Sequence, residues 1–147
     1  MKNRRRIFLL LITVFGAILA WKVGSYMFEQ WQNSGHRRFA ERLSGLDLSE
    51  ANLVHKKSEW SIGGPGGYSA YVFQLPAFDD ETFARMCHQI TRHAITFGAQ
   101  IAVSTYGIVS EFVPKPPICG LSQTLPSAGV QRALLGRGGD LYVETAE

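Results

Sequence analysis

Residues 79–98 read DDETFARMCHQITRHAITFG, and the spacing of their apolar side chains settles the class of fold. Phe83, Met86, Cys87, Ile90, Ala94 and Phe97 recur every three or four positions, which gathers them on one face of a helix of about five turns. Asp79 can cap its first turn, Asp80 and Glu81 complement the positive end of the helix dipole, and Gly98 supplies the stop. Arg85, His88, Gln89 and Arg92 then point outward, with His93 at the border of the apolar face. A helix with one apolar face needs a layer to bury it against, and the flanking sequence has the alternation of strands.

Upstream, Tyr68 to Leu75 alternates in strand fashion until Pro76. Strand-like residues around Trp60 and Ile62 precede it, separated by Gly63-Gly64-Pro65-Gly66-Gly67, a composition that reads as a hairpin loop. Downstream, Gln100 to Tyr106 and Ile108 to Val113 read as a strand pair or one bent strand, broken by Gly107. Pro114, Pro116 and Pro117 forbid regular pairing, so a loop is expected through Cys119 to Pro126. Ser127 then caps a short helix carrying Val130, Ala133 and Leu134 and ending at Gly136, and Asp140 to Glu144 forms a last strand with Leu141 and Val143 on one face.

From Tyr68 onward the order predicts an α+β domain of the ferredoxin-like kind, βαββαβ, with Leu53–Ile62 as an extra N-terminal edge strand. Leu46 to His55 resembles two units of the pentapeptide-repeat pattern; two units cannot bury a core of their own, and a capped loop entering a strand is the expectation.

The N-terminus places this domain at a membrane. Lys2, Arg4, Arg5 and Arg6 precede an uncharged run from Ile7 to Trp21, and basic residues abutting an apolar helix hold their end on the cytoplasmic side. The strict run spans only roughly 22 Å as a helix, but it resumes after Lys22 to Phe28, and a lysine near a helix end can snorkel to the headgroups. The expectation is a cytoplasmic tail over residues 1–6, a transmembrane signal-anchor over 7–28, a membrane-proximal helix and linker over 29–52, and a periplasmic α+β domain over 53–147. Phe28, Trp31, Gly35, Phe39 and Leu43 mark the stripe of the membrane-proximal helix. Cleavage near Ser25, after Val23-Gly24, is the alternative and would release a secreted protein.

The net charge of +3 belongs to this topology signal. Residues 1–29 hold five of the fifteen Lys and Arg and one of the twelve Asp and Glu, leaving ten basic and eleven acidic residues beyond them. A near-neutral domain argues against a nucleic-acid partner, which needs a basic face to neutralise phosphates. Cys87 and Cys119 suit a disulfide in an oxidising compartment; as two reduced thiols they would instead pack as small hydrophobes, and neither sits in a metal-binding spacing.

No motif supplies an activity. The glycine loop lacks both the Lys-Ser/Thr ending of a P-loop and the dinucleotide GxGxxG spacing. Cys87 and His88 point about 100° apart on one helix and cannot form a dyad. Asp79, Asp80 and Glu81 have an ordinary role at a helix N-terminus, and Gly136-Arg137-Gly138-Gly139-Asp140 reads as a stop and turn. No catalytic, cofactor or metal-binding residue is assigned.

The expected function is a non-enzymatic, inner-membrane-anchored periplasmic interaction or assembly module with a protein partner, whose candidate contact residues are Trp60, Gly63, Gly64, Pro65, Gly66, Gly67 and Tyr68. In outline it resembles the inner-membrane assembly components of type II secretion and type IV pilus machines, which join a short cytoplasmic N-terminus, one span and a ferredoxin-like periplasmic domain; the long coiled coil common there is missing. The alternatives are a membrane-tethered immunity or inhibitor protein presenting the glycine loop as a wedge, an exported hydrolase using a pocket such as one between His55 and Glu59, and a sensor with an apolar cavity between sheet and helices.

Overall fold

A computed structural model describes residues 2–60, 66–76, 78–102, 112 and 114–146, with side chains from residue 11 onward except at residue 60. The elements are α1 (Lys2–Ser44), β1 (Asn52–Trp60), β2 (Gly67–Gln74), α2 (Asp80–Phe97), β3 (Gln100–Ile101), β4 (Ile118–Thr124), β5 (Val130–Gly136) and β6 (Asp140–Ala146). The chain divides into two units, residues 1–35 and 36–147.

The first unit is helical, and its large apolar side chains from Leu11 to Phe28 are exposed. By length and composition α1 is apolar enough to cross a membrane.

The second unit is α+β: six strands form one antiparallel sheet in the order β1-β2-β6-β5-β4-β3. β1 and β2 make the expected hairpin, with Trp60 opposite Gly67. α2 then carries the chain across one face of the sheet to its far edge at β3, and β4, β5 and β6 return as a meander that closes against β2.

This topology replaces the ferredoxin-like order. The segment beginning at Ser127, expected as a second helix, is a turn followed by strand β5. Val130, Ala133 and Leu134 fit a helical period, but β5 lies between β4 and β6, where Ala133, Leu134 and Leu135 are all fully buried; a strand covered on both faces shows a continuous apolar run. The turn before it is closed by Leu125 N–H to the Gly129 carbonyl at 2.7 Å. The loop expected through Cys119 to Pro126 is also shorter than anticipated. Past Pro117 no proline interrupts Ile118–Thr124, and these residues pair in register with β5 as β4. Gln100 and Ile101 form β3, while residues 103–111 and 113 of the expected strand pair lie outside the described residues.

The main core lies on the helical face of the sheet. Phe73, Leu121, Leu135, Leu141 and Val143 meet Ile90 and Ala94 of α2 and Ala40 and Leu43 from the last turns of α1, all of them at most 2% exposed. Leu141 and Val143 share a face as expected. α2 begins and ends where its sequence says, with Asp79 Oδ1 accepting from Thr82 N–H at 2.8 Å and Gly98 in the left-handed conformation. α1 ends at Gly45, also left-handed (φ 73°), and a Cβ there would stand 2.5 Å from the His93 ring, so only glycine lets the two helices approach this closely.

Where residues 36–44 meet the sheet, His36 stacks on Tyr71 with ring centroids 4.3 Å apart. Burial, and secondarily the Lys56 charge, hold its pKa below the ordinary 6.5. Folding therefore favours the neutral ring: its contribution is complete above pH 6.5 and is lost as the pH falls below that value through the lower folded pKa. Denaturant titrations of the full chain in neutral detergent should show stability falling from pH 7.5 to pH 5, with a shallower fall in the His36→Gln variant. Equal slopes would remove His36 from the account.

The opposite face of the sheet holds a smaller cluster of Ala70, Val72, Leu134 and Tyr142, with Ala102, Phe112 and Ile118 packed against it. Phe112 also lies 5.4 Å from the His55 ring on β1. The ends of the proline-containing connection between β3 and β4 are thus anchored on this second face.

Candidate functional site

Three surfaces bring polar or unpaired groups together. The first is the outer edge of β1. This strand is nine residues long and, among the described residues, nothing pairs with its outer side. Asn52, Val54, His55, Lys56, Ser58 and Glu59 are exposed along it, and a register shift between Leu53 and His55 bulges Val54 outward. Edge lysines and a bulge are devices that discourage indiscriminate strand pairing while leaving the backbone donors and acceptors in place.

The open end of this hairpin carries the expected contact residues. Tyr68 stands opposite Glu59, and Gly67 opposite Trp60, next to Gly66 at φ 124°. Gly63, Gly64 and Pro65 lie outside the described residues. Lys57 binds Glu59 at 3.2 Å, and hydrogen bonds to Glu59 and then Tyr68 push its pKa up to about 12. It therefore stays a cation at neutral pH. His55 and Glu59, paired as a conceivable hydrolytic site, are four residues apart on one strand, roughly 13 Å, and have different partners, Phe112 and Lys57.

The second surface is a polar row across the second face. Antiparallel register aligns Lys57 with Ala70, Ala70 with Glu144, Glu144 with Arg132, and Arg132 with Ser122. Arg132 donates to Glu144 Oε1 at 2.7 Å, and Tyr142 donates its phenol to Glu144 Oε2. Glu144 is 5% exposed, with both oxygens engaged. Burial, and then the bond to Glu144, raise the Tyr142 pKa, so the phenol remains a donor. Its geometry is that of a buried ion pair with a phenol donating to the same carboxylate. The sequence reading passes over these residues, since Arg132 falls in a segment of helical appearance; only with β5 read as a strand does it stand opposite Glu144.

The third surface is a groove of about 470 Å³ between the end of α1 and the outer side of α2, lined by Gly45, Arg85, His88, Gln89, Arg92, His93 and Thr96. Gln89 donates to the Gly45 carbonyl at 2.7 Å and His93 Nε2 bonds the Arg42 carbonyl at 2.9 Å.

Arg137 is committed elsewhere. It makes a two-pronged ion pair with Asp80, Nε to Oδ1 at 2.6 Å, which lowers the Asp80 pKa and fastens the β5–β6 turn to the start of α2. Cys87 of α2 and Cys119 of β4 stand at disulfide distance, with Cα atoms 5.7 Å apart. Among the described residues no three His, Cys, Asp or Glu side chains converge in a way that would hold a metal ion.

The chain matches no protein-family model, no curated protein and no solved structure.

Proposed function

We propose that this chain is a single-pass, membrane-anchored interaction module, non-enzymatic, whose α+β unit faces the periplasm and receives a strand of a partner protein on the outer edge of β1. The observation that carries this reading is the nine-residue edge of β1, which no strand covers among the described residues. Strand addition draws affinity from main-chain hydrogen bonds and specificity from alternate side-chain positions, and β1 presents both over roughly 30 Å. The basic residues ahead of the apolar helix favour retention of the N-terminus in the cytoplasm, and a cysteine pair at disulfide distance suits the oxidising side of the inner membrane. Tethering raises the effective concentration of the module for other membrane proteins.

A photo-crosslinking residue at Lys56, on the edge, should capture a defined partner in native membranes, whereas one at Glu81 on α2 should not. Capture of the same proteins from both positions, or of none from Lys56, would overturn strand addition. A periplasm-active reporter fused after Glu147 should be active; activity of a cytoplasm-active reporter there would reverse the topology.

A further inference from the structure

The groove beside α2 has a chemistry that strand addition leaves unused. Arg85, His88 and Arg92 are spaced i, i+3 and i+7, which aligns them along one side of the helix over roughly 10 Å. All three are exposed, and among the described residues the guanidinium groups of Arg85 and Arg92 make no hydrogen bond or ion pair. Every other arginine of the α2 and sheet layers is paired: Arg132 with Glu144 and Arg137 with Asp80.

The opposite wall is α1's C-terminus, whose carbonyls would normally repel an anion. Here the carbonyls of Arg42 and Gly45 are already bonded by His93 and Gln89. What remains facing the groove is a row of donors: two guanidinium groups and the His88 ring. The nearest carboxylates lie at one end. Asp79 is close enough for Arg85 to lower its pKa, although the Thr82 hydrogen bonds do so more strongly, and Asp47 and Glu50 share the neighbouring groove with Arg85. Between His88 and Thr96 no acidic side chain among the described residues lines the groove.

We propose that this groove binds a phosphate-bearing anion. Arg85 and Arg92 supply forked, charge-assisted donors that match phosphate oxygens, and His88 adds a donor between them. An anionic lipid headgroup and a soluble phosphate offer the same chemistry. The headgroup source rests on the membrane-anchor reading; the phosphate chemistry does not.

The test uses the full chain in neutral maltoside micelles, titrated separately with dihexanoyl phosphatidylglycerol, dihexanoyl phosphatidylcholine and inorganic phosphate. Phosphatidylglycerol should bind and phosphatidylcholine should not, and the Arg85→Gln/Arg92→Gln variant should bind roughly tenfold more weakly with an unchanged thermal unfolding midpoint. Arg85→Lys/Arg92→Lys should keep more of the affinity than the glutamine variant. Binding of inorganic phosphate with the same dependence on the two arginines assigns a soluble ligand; binding of phosphatidylglycerol alone assigns the headgroup. If neither phosphate probe binds, or if the glutamine variant binds both unchanged, the groove is not an anion site.

Discussion

Glu144→Ala is expected to destabilise the α+β unit by about 3–5 kcal/mol, the loss found when one partner of a buried ion pair is removed and the other stays behind. The side chains of Arg132 and Glu144 are only 17% and 7% exposed, and Tyr142 spends its phenol proton on the same carboxylate. Alanine at 144 would leave a guanidinium and a buried hydroxyl without that acceptor, at the centre of the sheet between β2 and β5. The Arg132→Met/Glu144→Leu double variant should recover the part of the loss that comes from the stranded guanidinium, while the Tyr142 phenol still lacks its acceptor. Denaturant titration of the wild type, Arg132→Met, Glu144→Leu and the double variant closes a thermodynamic cycle that measures the coupling, with Glu144→Ala titrated beside them. A double variant as unstable as Glu144→Ala would show that the pair acts independently and that its burial matters less than its shape.

Removing the link between Cys87 and Cys119 comes next in size. The loop-entropy model assigns a crosslink across 32 residues roughly 3–4 kcal/mol. The segment it closes contains α2 from Cys87 onward, β3 and the proline-rich connection between the sheet neighbours β3 and β4. In Cys87→Ala/Cys119→Ala the full chain should unfold at correspondingly lower denaturant, and hydrogen exchange should rise first in β4 and at Lys115, the one residue of 114–117 with an amide hydrogen. Alkylation of the wild type under non-reducing conditions should label neither cysteine. Two freely labelled thiols would show that the pair is reduced in the cell and would withdraw its support for an oxidising compartment.

The two predictions draw on parts of the chain that differ in how readable they were. The cysteine pair was legible because an even number of thiols beyond an export-type N-terminus has few uses, and because Cys87 falls on the apolar face of an unmistakable helix. The ion pair was not. Arg132 sits in VQRALLG, where valine, alanine and leucine satisfy a helical spacing as well as a buried strand, and seven residues are too few for length to arbitrate. The misreading of that segment as a helix, together with that of Ile118–Thr124 as a loop, produced the wrong topology, since β4 and β5 pair with each other. The phosphate groove lay half in view: its outward residues were placed correctly on α2, but the wall that makes them a groove comes from Gly45, forty residues upstream.

By itself the sequence determined what is local. The caps and period of α2, the β1–β2 hairpin, and the apolar length and flanking charge of α1 each follow from residues within a few positions of one another, where propensity and periodicity act directly. Long-range packing decided which strands are neighbours, which side of β5 faces which core, and that β1 is an edge among the described strands. Those outcomes depend on how faces from distant segments exclude water together, and a run such as Ala133-Leu134-Leu135 acquires its meaning only once both faces of the sheet around it are covered.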